Sequence, residues 1–224
     1  EEAREWRAFL TGVRKHAAST VNARLSALKG VARYAGGRLE VQGIKTVPKP
    51  VQALTARELG RLVRAVDQHD WGPEWFHLRN VAVVALMARA GLRVSEVVTL
   101  NLDDVELNDR SGWVTVRQGK GLKERRVPLS LQARRALAAY LEARPKAKIS
   151  ALFLNKDLDR LQRRPIQRMI KSAAQRAGIE QDVSPHTLRH TFATRFLEQG
   201  GDLATLRDIM GHANVTTTLL LLTN

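Results

Sequence analysis

The longest apolar run in the chain is Val81 to Ala88, reading Val-Ala-Val-Val-Ala-Leu-Met-Ala, and it limits what the rest can fold into. The run is far below the ~20 residues that a helix needs to cross a bilayer. A helix from Arg79 to Ala90 that carries it is therefore expected to be the buried core of a domain. Gly91 breaks that helix. Arg93 then falls between it and a short helix starting near Ser95, where a backbone turn can aim a side chain into a cleft. With 224 residues and 44% hydrophobic content, the chain is long enough for one large domain, or for a large domain with a fragment of another.

Cysteine is absent, which removes disulfides, thiolate zinc sites and cysteine nucleophiles, and nothing calls for an oxidising compartment. No secretory signal pattern opens the chain, so a cytoplasmic location without a membrane anchor is expected. Glu1 is not an initiator methionine, so the numbering starts within a longer protein or on an ordered portion of one. The 37 Lys and Arg against 22 Asp and Glu leave a formal net charge of +15. That balance favours a polyanionic partner, most simply nucleic acid, although ribosome-bound and membrane-surface proteins share it.

Taken in order, residues 1–35 predict two helices. Trp6, Phe9, Leu10 and Val13 form the apolar face of the first; Val21, Leu25, Leu28, Val31, Ala32 and Ala35 form that of the second, capped by Ser19 or Thr20 and ended by Gly36-Gly37. Two helices are too few to bury those faces, so residues 1–37 read as part of a small helical domain. Residues 1–50 carry ten Lys/Arg against four Asp/Glu. For any single arginine there, an ordinary solvated helix face is the competing explanation. Residues 38–53, with Gly43, Pro48 and Pro50, predict an extended interdomain linker. Thr55-Ala56-Arg57-Glu58 is a capping box opening the next helix, with Leu59, Leu62, Val63 and Val66 inward, and a second domain over 54–224 begins there. Residues 113–117 and 125–129 alternate as strands do, predicting a β-hairpin with Lys120 near its tip. Helices are expected from Leu131 to Ala143, Pro165 to Ala177, Leu203 to Met210 and from Asn214 onward, with an extended piece at Leu152 to Leu154. The fold class is mainly α with a small β-sheet, an α+β arrangement.

One stretch concentrates chemistry: Ser184-Pro185-His186-Thr187-Leu188-Arg189-His190-Thr191-Phe192-Ala193-Thr194. His186 and His190 are i, i+4 neighbours and Arg189 lies three residues after His186, so a helix puts all three close together. Ser184 and Pro185 mark the helix start, where free N–H groups and the positive dipole end add to the attraction for an anion such as phosphate. A lone histidine is more often a plain surface or core residue; its place in an ordered set of motifs changes that weighting.

His-x-x-Arg-His-x-Phe-Ala-Thr resembles the second catalytic box of the tyrosine recombinases, the phage-integrase and Xer-like family that cuts and rejoins DNA at specific sites. Ala90-Gly91-Leu92-Arg93-Val94-Ser95-Glu96, Gly119-Lys120-Gly121-Leu122-Lys123-Glu124-Arg125 and Met210-Gly211-His212 follow the family's other boxes in order. A weaker likeness links Thr20 to Leu28 with the last helix of the family's core-binding domain. The resemblance implies that 1–37 is the C-terminal part of that domain, that 38–53 is the linker of a clamp around the duplex, and that 54–224 is a catalytic domain shortened near its C-terminus.

The resemblance also implies roles. Arg93 and Arg189 would bind the scissile phosphate, where a planar, permanently charged fork suits oxygen better than an ammonium does. Lys120, with Lys123 as the alternative, would protonate the departing 5′ oxygen. His186 would assist the nucleophile's proton transfer, His212 would hydrogen-bond the phosphate, and Glu96 and His190 would orient the arginine and the imidazole. Arg24, Lys29, Arg33, Lys123 and Arg125 would contact DNA. No metal or other cofactor is implied: carboxylate clusters of the kind that hold a divalent ion and a Gly-x-x-x-x-Gly-Lys-Ser/Thr loop for ATP are both missing from the sequence.

One position departs from the pattern. The nucleophilic tyrosine belongs nine residues after His212, and Leu221 stands there. The only tyrosines are Tyr34, on a helix like those that bind DNA, and Tyr140, on a helix that reads as surface. A recombinase working as a homotetramer on paired duplex sites, but unable to form the 3′-phosphotyrosine as written, is the first expectation. A nucleophile-less DNA-binding regulator of recombination sites and a type IB topoisomerase-like enzyme are the alternatives.

Overall fold

The computed structural model describes residues 2–45, 52–117 and 124–211. The chain divides into two compact units, Glu1–Lys49 and Pro50–Asn224.

The first unit contains α1 (Glu2–Gly12) and α2 (Ala18–Tyr34). Their contact buries Leu10, Val21 and Leu25. Phe9, Val13, Leu28 and Val31 have the right spacing but stay exposed, Val13 at 71%, because two helices bury only the stripe that each turns to the other. The expected cap at Ser19 or Thr20 is not used: α2 starts earlier, after Ala17, which makes no side-chain cap. Residues 38–45, the front of the expected linker, pack back on this unit. Val41 is buried there, and the Asn22 side-chain amide pairs with both backbone groups of Ile44 at 2.8 and 2.7 Å.

The second unit is built around α4 (Glu74–Arg89), whose residues from Ala82 to Met87 are at most 6% exposed. α3 (Ala56–Asp67), α5 (Val94–Thr99), α6 (Leu131–Ala143), α7 (Arg163–Arg176) and α8 (Pro185–Glu198) all pack on it. Helix α4 begins five residues before the sequence suggests. The extra turn holds Trp75 and Phe76, under which the buried Arg79 guanidinium stacks, 4.5 Å from the Phe76 ring centroid. Arg79 also donates to Leu154 O at 2.7 Å and to Asn80 Oδ1, and burial lowers its pKa to about 10, so it stays charged at neutral pH. Thr55 and Glu58 form the expected capping box at α3.

The sheet has three antiparallel strands in the order β1 (Val105–Leu107), β2 (Gly112–Val116), β3 (Arg125–Pro128). Val114 pairs with Val105 and Val127, which puts Val114, Val116 and Val127 on a buried face. Strand β1 is missing from the sequence reading because three residues are too few to display alternation. Leu152 to Leu154 forms no strand of the sheet; isolated bridges join Asn101 to Ala151 and Leu154 to Arg160. The last described helix is α9 (Leu203–Met210). The helix expected from Asn214 onward lies outside the described residues. Among the described residues, no helix is long and apolar enough to cross a membrane.

Tyr140 corrects a further expectation. Its helix reads as a surface one, yet the residue is fully buried, stacked on Phe153 with ring centroids 5.3 Å apart. Its hydroxyl donates to Leu152 O at 3.0 Å and accepts from Leu154 N–H, and burial raises its pKa. Tyr140→Phe should leave the Leu154 N–H unpaired and cost about 1–2 kcal/mol. Urea unfolding should show the loss as a lower midpoint with an unchanged slope.

Candidate active site

Three elements meet at Glu96. It stands in the first turn of α5, so its carboxylate reaches back and Oε2 accepts the backbone N–H of Arg93 at 2.8 Å. Oε1 accepts from Arg93 Nη1 at 2.8 Å, and Oε2 also accepts from Arg125 Nη2 of β3 at 2.8 Å. Arg189 Nη1 of α8 lies 4.0 Å from Oε2. Three guanidinium groups thus surround one carboxylate that is only 8% exposed.

The other acceptors are the final carbonyls of α9. Ile209 O takes Arg125 Nε at 2.7 Å, Met210 O takes both Arg93 Nη1 at 3.1 Å and Arg189 Nη2 at 2.7 Å, and Gly211 O takes Arg93 Nη2 at 3.3 Å. A helix C-terminus carries about half a negative charge, so these guanidiniums bind where the dipole favours them. Gly211 adopts φ 61°, the left-handed cap that ends α9 and turns the chain. Arg189 also donates to Gly91 O, in the turn after α4. Gly91 is required there, since its φ is +69° and a Cβ would collide with the Phe192 ring of α8.

Electrostatics follow from this packing. Burial would raise the Glu96 pKa, but the hydrogen bonds from Arg125 and Arg93 outweigh it and hold the group below the usual carboxylate range. Burial, with Arg93 and Arg125 alongside and Glu96 opposing them, lowers Arg189 to about 9, still charged at neutral pH. One carboxylate against three guanidiniums leaves an excess positive field, and Arg93, with 36% of its side chain exposed, opens it to solvent. Such a field suits an oxyanion.

Helix α8 starts as the sequence indicates. Ser184 Oγ accepts Thr187 N–H at 3.3 Å, Thr187 Oγ1 accepts Ser184 N–H at 3.1 Å, and Pro185 occupies the first turn. Thr191 Oγ1 accepts Leu54 N–H at 2.9 Å, which ties the approach to α3 onto α8. His186 reaches solvent, but surrounding protein and then the Arg189 charge hold its pKa below 6.5. His190 is 5% exposed and lowered by burial and by His186; its Nδ1 has no hydrogen-bond partner among the described residues.

The structure therefore brings Arg93, Glu96 and Arg189 together, with His186 on the same helix as Arg189. Lys120, Lys123, His212 and Leu221 lie outside the described residues. Arg125 needs correction: in place of an exposed DNA contact, its side chain is 10% exposed and turned inward to Glu96 and α9. In the first unit, Arg24 and Arg33 are exposed and Lys29 is half-buried. Lys29 and Arg33 line an open cavity of about 650 Å³ with Arg4, Arg7 and Arg38. Sequence reading passed over these last three, for which the only signal was the positive charge of residues 1–50. It also missed the α9 carbonyls, which no side-chain motif marks.

A histidine whose folded pKa lies below its unfolded value binds its proton more weakly when folded. The resulting stability is present above the unfolded pKa and is lost as pH falls from about 6.5 through the folded value. The melting temperature should therefore drop on acidification from pH 7 to 5, and His186→Gln with His190→Gln should flatten that slope in a thermal scan across pH.

The chain resembles known proteins along most of its length. The model of the phage integrase family matches residues 52–220. Tyrosine recombinase XerD of Mycobacterium tuberculosis (strain ATCC 25618 / H37Rv) is 39% identical over 210 residues, covering 87% of this chain and 66% of that protein. Tyrosine recombinase XerD of Bifidobacterium longum is 40% identical over 187 residues, and the chain spans only 58% of its length. Tyrosine recombinase XerA of Thermococcus kodakarensis is 37% identical over 219 residues, covering 94% of this chain and 73% of the relative. Among solved structures, XerA recombinase aligns at a TM-score of 0.70 with 30% identity, covering 97% of this chain and 75% of that one. XerH site-specific recombinase bound to difH substrate, in a pre-cleavage complex, aligns at 0.81 with 22% identity over 99% of this chain and 66% of its own, a likeness of fold. With its boxes in order, their arginines converging and these relatives in common, the chain belongs to the phage integrase family of tyrosine recombinases.

Proposed function

We propose that this chain is the catalytic portion, with part of the core-binding domain, of a site-specific recombinase acting on duplex DNA in the cytoplasm as a homotetramer on paired sites. The observation that carries this reading is the shared acceptor at Met210 O. Arg93 and Arg189, from boxes almost a hundred residues apart, both donate to it and both face Glu96. Two forks held side by side suit the non-bridging oxygens of one phosphodiester, on which negative charge grows as a nucleophile attacks. His186, kept neutral at pH 7, is able to accept the nucleophile's proton. Lys120 would supply the proton to the 5′ oxygen and His212 a hydrogen bond to the phosphate, by their place in the family's boxes. XerH, whose fold this chain shares, is described as bound to its difH substrate.

Leu221, at the position of the nucleophile, favours a second reading: a member that occupies recombination sites and grips the phosphate without cutting. Both readings require duplex binding driven by phosphate neutralisation, because each contact releases counterions. Affinity for a duplex should fall steeply with added salt in a titration from low to high ionic strength. A flat profile would remove DNA as the partner.

A nicked suicide duplex separates the two readings. The chain as it stands should give no denaturant-stable protein–DNA adduct. Leu221→Tyr should trap one, and adding Arg189→Ala should abolish it, through loss of a donor set worth on the order of a few kcal/mol in the transition state. An adduct from the unchanged chain would point to Tyr34, which is 96% exposed, since Tyr140 is locked in the core.

A further inference from the structure

We infer that Arg125 is a positioning residue of the phosphate clamp, bridging the Glu96 carboxylate to the end of α9 and so fixing the two supports on which Arg93 and Arg189 rest. This inference deepens the proposed function and rests on it. Arg125 opens β3 and is held in register by pairing with Val116 of β2. Its neighbour Arg126 turns outward, 55% exposed, to an ion pair with Glu106. Arg125 turns inward, and its side chain is 10% exposed.

Two donors of its one planar group serve different elements: Nη2 binds Glu96 Oε2 at 2.8 Å and Nε binds Ile209 O at 2.7 Å. Each acceptor neighbours a clamp contact. Oε2 also takes the Arg93 backbone N–H and lies 4.0 Å from Arg189, while Met210, the residue after Ile209, is the carbonyl that both clamp arginines share. Without Arg125, Oε2 loses a charged donor and Ile209 O loses its guanidinium. Glu96 is then free to turn toward Arg189, and the end of α9 is free to shift. A lysine restores the charge, but its single ammonium does not reproduce two donors fixed in one rigid plane.

Inorganic phosphate is the probe, titrated into the full chain and followed through the arginine Nε–Hε signals in NMR spectra. The unchanged chain should bind and Arg93→Ala should not. Arg125→Gln should bind about tenfold more weakly, the loss of a charged hydrogen bond, and Arg125→Lys should recover only a small part. The Glu96 carboxyl carbon should titrate at higher pH in Arg125→Gln, which checks that the contact is lost, and the separate Arg125→Lys variant checks that the fixed pair of donors, beyond the charge, positions the clamp. Wild-type affinity in Arg125→Gln, or full recovery in Arg125→Lys, would overturn the inference while leaving the clamp intact. Should Arg125→Gln fail to fold by circular dichroism, the lysine variant decides alone by the same criterion. No phosphate binding by the unchanged chain, or equal binding by Arg93→Ala, would overturn the clamp itself and this inference with it.

Discussion

One buried carboxylate holds three arginines in place. Glu96 meets Arg93, Arg125 and Arg189 in a setting where none of the three charges is fully hydrated. Breaking a buried ion network by deleting one partner typically costs about 3–5 kcal/mol, because the remaining charge is left uncompensated. Here the deletion would leave three like charges together. The arrangement is tolerable only because the α9 carbonyls accept the donors that Glu96 does not. The resulting surplus of positive charge is what a phosphate would neutralise.

Convergence depends on the core beneath. Helix α4 is buried all round from Ala82 to Ala88, so it serves as a rigid post, and α5 leaves its end through the left-handed turn at Gly91. Helix α8 packs on the same post and comes so close at that turn that Phe192 fills the space a side chain would need. Helix α9 returns on α8 through Ala193, Leu206 and Met210, which presents its carbonyl end to the arginines. Arg93 and Arg189 are neighbours for these packing reasons, although they lie far apart in sequence.

Local signals are legible where the physics is local. Thr55 with Glu58 and Ser184 with Thr187 cap their helices, Gly91 turns the chain after α4, and the apolar run lies at the centre of the larger unit. Burial is not legible from spacing alone. Val13 and Val31 keep helical periodicity yet face solvent, because no third layer covers them among the described residues. Tyr140 reads as a surface residue on an amphipathic helix, but α6 lies against α4 and the Leu152 and Leu154 backbone closes over its hydroxyl. Residues 38–45 carry linker composition, and yet Val41 and the Asn22 amide bind them to α2.

By itself, the sequence determined the family, the order of the boxes, the mostly helical composition and the presence of Leu221 where a tyrosine is expected. These are properties of residue identity and short-range spacing, on which backbone propensity and motif likeness act directly. Only the tertiary structure decided where each arginine points and what it contacts. Arg93 reaches solvent, Arg189 is sealed between Gly91 and Met210, and Arg125 turns away from the outside to bridge Glu96 and Ile209. A guanidinium's role depends on which carbonyls and carboxylates the packed helices bring within about 3 Å of it, and chain order carries no record of those distances.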